Sequence, residues 1–281
     1  MRLAPLLALL LLASLTAAQA PPGYTPLPDL SDEFDGVTLD PAKWRASDEG
    51  WLGRQPGLFA SSNVVVAGGS LQLWARAARR NASWPPGYDN FTTSAVHSLA
   101  RARLGYYEIR WRSGSSGISS SWWFHEGNGS AWTEIDVFET TGVDNAAAGG
   151  AKAANLPSHV HIFELPNRTA AQLPGLCNCS EGTPGQAPCS KGALFSLPAG
   201  RSFADDWHVA SLLWTAGGVE VRLDGALVST IPSACLVEEI GMDFDRETMP
   251  GWMTLPDPAT LPDQPFLIDY VRSFSAPPSP V

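Results

Sequence analysis

The sequence lacks several features that whole classes of protein need. It has no cluster of Lys and Arg, and its 28 acidic residues outnumber the 18 basic ones, so the formal net charge is −10. Beyond the N-terminal segment it has no apolar run long enough to span a bilayer. It also has no internal repeat, heptad pattern or low-complexity tract. These absences argue against nucleic-acid binding and against a membrane-spanning mature chain, and they favour one large domain.

The N-terminus has the pattern of an export signal. Met1-Arg2 precedes an apolar run from Leu3 to Leu15, and Ala18-Gln19-Ala20 has the small-x-small form that signal peptidase accepts. A buried helix can look similar, but the place of the run at the extreme N-terminus favours export. We therefore predict a signal peptide over residues 1–20, cleaved after Ala20, and a secreted, monomeric domain over residues 21–281 without membrane attachment.

Cysteine is scarce, with four residues in the whole chain. An exported chain holds its cysteines in an oxidising compartment, which predicts two disulfides. The alternative, a zinc site, is less favoured because Cys177-x-Cys179 is closer than the usual Cys-x-x-Cys spacing. The sequence leaves the pairing open among Cys177, Cys179, Cys189 and Cys235.

Five Asn-x-Ser/Thr sequons accompany the export signal. One or two would arise by chance, whereas five indicate a glycosylated secreted protein. The sequons are at Asn81, Asn90, Asn128, Asn167 and Asn178.

Helical periodicity is absent from every long stretch, while 24 prolines and 26 glycines separate short apolar runs. Residues alternate with period two over 70–76, 106–112 and 219–223, which is typical of half-buried strands. Asp224-Gly225 predicts a tight hairpin with positive φ at both residues. The pattern indicates a β-sandwich. Within residues 141–206, only 159–165 has the pattern of a strand.

Three carboxylates crowd one predicted strand, Glu134-Ile135-Asp136-Val137-Phe138-Glu139. On a regular strand Glu134 and Asp136 share a face and Glu139 points the other way. One extra residue in a β-bulge would bring Glu139 to the same face, about 13 Å along the strand from Glu134. Two glutamates that lean together can approach the ~5 to 5.5 Å carboxyl separation of a retaining glycosidase. The alternative is an exposed acidic strand edge.

Aromatic residues flank the acidic strand on both sides, Trp122-Trp123-Phe124 before it and Trp132 at its start. Sugar rings stack on such surfaces. Because neighbouring side chains alternate across a strand, one of Trp122 and Trp123 should line a cleft and the other should pack in the core. The flanking aromatics therefore favour a sugar-cleaving strand over an acidic edge.

The assembled motifs resemble glycoside hydrolase family 16, in particular its members with the longer Glu-x-Asp-x-x-Glu strand. The resemblance covers nearly the whole mature chain. Besides the acidic strand, it rests on Ser31–Gly36, Leu39-Asp40, Lys43-Trp44, Asn63-Val64, Gly69–Leu73, Gly105–Glu108, Ser119–Phe124, Asp206–His208, Leu213–Thr215 and Ile268–Arg272.

This resemblance implies a jelly-roll β-sandwich of two antiparallel sheets with a substrate cleft on the concave sheet. It also implies a retaining mechanism in which Glu134 is the nucleophile, Asp136 its assistant and Glu139 the acid/base. Trp123 matches the family's stacking tryptophan, and Trp132 is a second aromatic contact. No cofactor is required for this chemistry.

Three segments resemble the agarases, porphyranases and related galactan-cleaving members more than the laminarinases. They are Trp51–Arg54, His159–Phe163 and Phe244–Trp252. The resemblance implies sugar contacts from Trp51, Arg54, His161 and Glu247, although His161 could equally be a structural histidine. The loop from Cys177 to Cys189 departs from the bacterial patterns, which leaves the choice of glycan open.

Many members of the family bind a structural calcium on the convex side. The resemblance places its ligands at Glu33, Gly69 and Asp269, and oxygen ligands suit Ca²⁺. The alternative is that Asp269 pairs with Arg272 or caps a turn.

The leading hypothesis is a secreted, endo-acting, retaining hydrolase of a marine β-linked galactan of the agar or porphyran type. A β-1,3-glucanase or a transglycosylase is the enzymatic alternative, and a lectin-like glycan-binding module is the non-enzymatic one. The negative net charge favours a neutral glycan over a strongly sulfated one, unless local basic residues offset it.

Overall fold

The structure is a computed structural model that describes residues 20–47, 50–127, 132–144, 153–162, 189–233, 236, 238–261 and 264–278. Several sequence predictions lie outside the described residues. These are the signal peptide up to residue 19, the cysteines apart from the backbone of Cys189, and the sequons at Asn128, Asn167 and Asn178. Asn81 and Asn90 are described and exposed, and their glycosylation stays a prediction.

Seventeen strands and three short 3-10 helices form the described part of the chain. The helices are Pro28–Leu30, Ser61–Asn63 and Pro258–Thr260. The strands are β1 (Thr25–Pro26), β2 (Trp44–Arg45), β3 (Gly57–Phe59), β4 (Val64–Val66), β5 (Leu71–Leu73), β6 (Arg76–Ala77), β7 (Phe91–Ser98), β8 (Gly105–Arg112), β9 (Ser120–Gly127), β10 (Trp132–Thr140), β11 (Asn155–Ile162), β12 (Cys189–Ser196), β13 (His208–Thr215), β14 (Gly218–Leu223), β15 (Ala226–Pro232), β16 (Gly241–Arg246) and β17 (Phe266–Ser275).

The strands form two sheets. One has eight strands in the order β15-β14-β13-β8-β17-β5-β4, with β1 beside β17. The other has nine in the order β12-β11-β10-β9-β16-β7-β2, with β3 and β6 beside β7. All pairs are antiparallel except β3 with β7. The predicted all-β fold of two antiparallel sheets is confirmed, and no helix in the described ranges is long and apolar enough to cross a membrane.

The period-two patterns locate most strands well. The runs at 106–112 and 219–223 fall within β8 and β14, and Asp224 and Gly225 have the predicted positive φ, 49° and 82°. The run at 70–76 is divided between β5, which pairs with β4 and β17, and β6, which pairs with β7 of the other sheet. Strand β12 was not predicted at all.

The core lies between the sheets and is rich in aromatic rings. Trp111 of the eight-stranded sheet stacks on Phe138 of the nine-stranded sheet, with ring centroids 4.0 Å apart and planes inclined by 21°. Trp122 is fully buried in this core and packs edge-on against Phe138. The neighbouring Trp123 is only partly buried and points to the opposite face. The predicted division of roles between these two tryptophans is confirmed.

Replacement of Trp111 by Ala should lower the free energy of unfolding by about 3–5 kcal/mol, because it removes a fully buried ring and leaves a cavity. Urea denaturation followed by circular dichroism measures the loss. Val37, which is 87% exposed, provides the control. Val37→Ala should change stability by no more than about 0.5 kcal/mol. Similar losses in both variants would contradict this description of the core.

Candidate active site

The three carboxylates lie on β10, near the middle of the nine-stranded sheet. In the pairing of β10 with β9, Asp136 is opposite Trp123 and Phe138 is opposite Trp122, so Val137 is an extra residue. This β-bulge changes the parity of the strand and brings Glu139 to the face that carries Glu134 and Asp136. The bulge predicted from the spacing of the carboxylates is confirmed.

The other face of β10 belongs to the core. Ile135, Val137 and Phe138 have no exposed surface. Glu134, Asp136 and Glu139 instead line a cleft of about 880 Å³. Asp136 is only 3% exposed, while Glu134 and Glu139 are partly exposed. The two glutamates can therefore reach a molecule bound in the cleft.

The proton affinity of these groups follows from their burial and crowding. Burial, followed by the negative charges of Asp245 and Glu134, raises the pKa of Glu139 to about 8, while Arg54 opposes this shift. Burial, followed by the charge of Glu139, raises the pKa of Asp136 well above its usual range, against a hydrogen bond with Glu134. At neutral pH, Glu139 therefore carries a proton that it can donate.

Trp51 and Arg54 lie above the cleft, in the segment between β2 and β3, and both contact Glu247. The indole Nε1 of Trp51 donates to Oε1 of Glu247 at 2.9 Å, and Nη1 of Arg54 lies 3.7 Å from Oε2. Glu247 is only 4% exposed, whereas Trp51 is 43% exposed. The structure thus brings these three predicted sugar contacts together, and it makes Glu247 a support for the other two.

His161 lies on β11 opposite Glu134, and its Nε2 is 3.3 Å from Oδ2 of Asp136. Its ring stacks on His159 at 5.5 Å, and burial lowers the pKa of His159. His161 is therefore at the edge of the carboxylate group, as predicted, and its contact with sugar stays a prediction. Trp132 begins β10, but its side chain lies outside the described part of the structure.

Sequence reasoning missed Asp243 and Asp245, which alternate with core residues on β16. Nε1 of Trp123 donates to Oδ2 of Asp245 at 2.8 Å. Asp243 accepts from Nδ1 of His97 at 2.7 Å and from Nδ1 of His125 at 2.8 Å. The acidic period-two pattern 243, 245, 247, which overlaps the segment Phe244–Trp252, was the signal that could have revealed them.

Two groups of three residues in the described ranges could coordinate a metal ion. They are His97 with His125 and Asp243, and Asp136 with His159 and His161. In the first group, each imidazole has its own carboxylate oxygen at hydrogen-bond distance, and this accounts for the convergence of the side chains. We derive no metal chemistry from either group.

A family model with the description Beta-porphyranase A-D, GH16 domain, matches residues 24–276 of the chain. The chain belongs to this family. It is therefore a glycoside hydrolase of family 16, and at the level of the family its reaction is hydrolysis of glycosidic bonds in a polysaccharide.

Individual relatives agree with this assignment. Beta-porphyranase B of Zobellia galactanivorans is 27% identical over 265 residues, which cover 85% of this chain and 80% of that protein. Beta-porphyranase D of the same organism is 32% identical over 151 residues, and there the match covers 48% of this chain and only 35% of the relative.

Solved structures of the family share the fold. The crystal structure of porphyranase B from Zobellia galactanivorans has a TM-score of 0.75 at 24% sequence identity and covers 90% of this chain and 92% of its own. The laminarinase catalytic domain from Thermotoga maritima has a TM-score of 0.70 at 20% identity, covering 90% and 98%. The jelly-roll fold expected of family 16 is thus confirmed.

Two of the three residues that the family resemblance implies as calcium ligands, Glu33 and Asp269, pair with arginines in this structure. Both carboxylate oxygens of Glu33 accept hydrogen bonds from Arg272, at 2.8 and 2.9 Å. Asp269 pairs with Arg110 at 2.8 Å. Guanidinium groups occupy the oxygens that an ion would need, so we derive no role for calcium. Asp269 lies at a register shift of β17 and pairs with Arg110, while Arg272, the partner considered for it from the sequence, pairs with Glu33.

The buried acid should make stability depend on pH. The pKa of Glu139 is about 8 in the folded state, against about 4.3 for an unfolded glutamate. The folded state holds the proton more tightly, so its contribution to stability is present below about pH 4 and is lost as the pH rises towards 8. Glu139→Gln should therefore be more stabilising at pH 9 than at pH 5, by roughly 1–4 kcal/mol.

Urea denaturation at the two pH values measures this difference. Glu220→Gln is the matched control, because Glu220 lies on the eight-stranded sheet and pairs with Arg222 at 3.3 Å. It should change stability equally at both pH values. An equal effect of Glu139→Gln at pH 5 and pH 9 would contradict the raised pKa.

Proposed function

We propose that the chain is a secreted, endo-acting, retaining hydrolase of a β-linked galactan of the agar or porphyran type. One observation carries the proposal. The bulge at Val137 aligns Glu134, Asp136 and Glu139 on the floor of a cleft whose wall carries a tryptophan on the next strand. Export is inferred from the N-terminal sequence alone.

The proposed reaction has two steps. Glu134 attacks the anomeric carbon, and Glu139 gives its proton to the departing glycosidic oxygen, which leaves a covalent glycosyl-enzyme. A water molecule then attacks the anomeric carbon while the ionised Glu139 takes one of its protons. The bond from that carbon to Glu134 breaks, so both glutamates return to their starting states with overall retention. Asp136 bonds Glu134 and orients it.

The extent of the cleft supports endo action. Its lining includes Arg45 of β2 at one side and Glu134 of β10 at the other. The strand order between them is β10-β9-β16-β7-β2, and four strand spacings amount to about 19 Å. A cleft of this length has room for several sugar units on the β2 side of Glu134 and Glu139.

The choice of a galactan rests on the relatives and on the charges in the cleft. Relatives that align over most of the chain are named porphyranases. Arg45, Arg54 and Arg101 line the cleft. Six carboxyl residues also line the cleft, and Arg54 and Arg101 each pair with one of them. Guanidinium groups have several donors and can bind sulfate oxygens, so a sulfated galactan is compatible with this site.

Variants of the two glutamates test the mechanism. Glu134→Ala should lower kcat by at least ~10³-fold, and azide should restore turnover with a glycosyl azide of inverted configuration. Glu139→Ala should lose about 10²–10⁴-fold on polysaccharide but little on an aryl glycoside with an acidic leaving group. Proton NMR of the products gives the configuration. Wild-type products of inverted configuration would contradict retention, and undiminished turnover by Glu134→Ala would contradict its role.

A substrate panel tests the glycan. Reducing-end release should be found with porphyran or agarose as a ladder of oligosaccharides, because internal bonds are cleaved. Carrageenan, laminarin and mixed-linkage glucan should be cleaved at least about tenfold more slowly, a difference of about 1.4 kcal/mol in transition-state binding. Release from laminarin alone would make the chain a β-1,3-glucanase. Transfer to added oligosaccharide in place of water would make it a transglycosylase, and binding without cleavage would make it a lectin.

A further inference from the structure

The buried carboxyl group of Asp245 lies in the same transverse row of the sheet as Glu139. Glu139 is opposite Ser121 on β9, and Ser121 is opposite Asp245 on β16. Two strand spacings separate the Cα atoms of the two acids by about 10 Å, and side chains on one face can close much of that distance. Ser121 between them is small, so no bulky side chain separates the two carboxyl groups.

The orientation of Asp245 is fixed by two neutral donors. Nε1 of Trp123 donates to Oδ2 at 2.8 Å, and the hydroxyl of Ser119 donates to Oδ1 at 3.1 Å. The Trp123 ring also stacks on His125, with centroids 4.5 Å apart and planes inclined by 17°. The indole is thus held at its N–H and against one ring face, which determines how the remaining surface meets a sugar.

We propose that Asp245 is a positioning residue that couples sugar binding to acid catalysis. It orients Trp123 through the indole N–H, and as a buried carboxyl group beside Glu139 it sets the pH range in which Glu139 can donate its proton. This proposal rests on the proposed function, because it assigns Glu139 as the acid.

The charges around Glu139 support the second part of this role. On its own strand it faces Glu134 and Asp136. Asp245 faces it from β16, Glu247 from the position just after β16, and Arg54 from the segment between β2 and β3. The adjacent stretch of β9 offers Ser121 and Trp123, which do not titrate, and then His125. Asp245 raises the pKa of Glu139 more than Glu134 or Glu247 does.

Glu139 and Asp245 titrate as a coupled pair. Burial, followed by the charge of Glu247, also raises the pKa of Asp245 to about 8. The pKa of the last deprotonation above neutral pH therefore describes the two carboxyl groups together and is not assigned to one of them. Removal of the Asp245 charge should let Glu139 ionise at lower pH, and the alkaline limb of the activity profile should follow it.

Asp245→Asn removes the negative charge of the side chain and keeps its shape. The side-chain oxygen of Asn can still accept from Trp123, but the charge is gone. The alkaline limb of kcat/KM against pH should move down by on the order of one pH unit, while KM at pH 5 stays within about twofold of wild type. Asp245→Ala also removes the acceptor, so it should raise KM several-fold at pH 5 in addition to moving the limb.

Two further variants serve as controls. Trp123→Phe removes the indole N–H and keeps the charge of Asp245, so it should raise KM and leave the alkaline limb near its wild-type position. Asp243→Asn removes a neighbouring carboxylate on the same face of β16 that contacts histidines instead. It should leave the alkaline limb in place, whatever it does to the level of activity.

The outcomes are distinguishable. An unmoved alkaline limb in folded Asp245→Asn overturns the electrostatic role, and equal KM values in Asp245→Asn and Asp245→Ala overturn the orienting role. Thermal unfolding at pH 5 checks each variant, and if Asp245→Asn does not fold, Asp245→Ser removes the same charge and must shift the limb in the same direction. A wild type inactive on every glycan overturns the proposed function together with this proposal, whereas an active wild type and an unmoved limb overturn only the proposal.

Discussion

The β-bulge at Val137 is the constraint on which the site depends. Side chains alternate along a strand, so without the extra residue Glu139 would point into the core and the hydrophobic Phe138 into the cleft. The bulge is stabilised on the core side of the sheet, because Val137 and Phe138 are both fully buried and Phe138 stacks on Trp111 of the opposite sheet. Packing between the sheets thus determines the distance between Glu134 and Glu139.

It is electrostatically unfavourable to bury several carboxyl groups close together in the cleft. Burial raises the pKa values of Asp136, Glu139, Asp245 and Glu247, so the folded state disfavours the charges that the reaction needs in turn. Several of these groups also organise aromatic rings. Asp245 holds Trp123 and Glu247 holds Trp51, each through one indole N–H. The same carboxyl groups therefore affect the pKa values in the cleft and determine the orientation of Trp51 and Trp123.

How far the sequence could predict this site depends on the range of the interaction. The bulge and the division between Trp122 and Trp123 follow from period-two geometry within single strands, and both could be predicted. The roles of Asp243 and Asp245 depend on which residues of β7 and β9 lie opposite β16, and local pattern does not contain that register. The ion pair between Arg110 and Asp269 could not be predicted for the same reason. Strand β12 was not predicted because its residues lack clear alternation between apolar and polar side chains.

Trp123 and Trp51 differ in how they are attached to the sheet. Trp123 is itself a sheet residue, and its partner Asp245 lies on the adjacent strand. Trp51 lies on a connecting segment, which is anchored by Glu247, by the backbone N–H of Gly57 to Thr248 at 3.0 Å, and by the hydroxyl of Thr248 to the carbonyl of Arg54. A change in this segment can alter the sugar contacts without moving β10. The reaction is therefore determined by the sheet, while the preference for one glycan can vary with the connections above it.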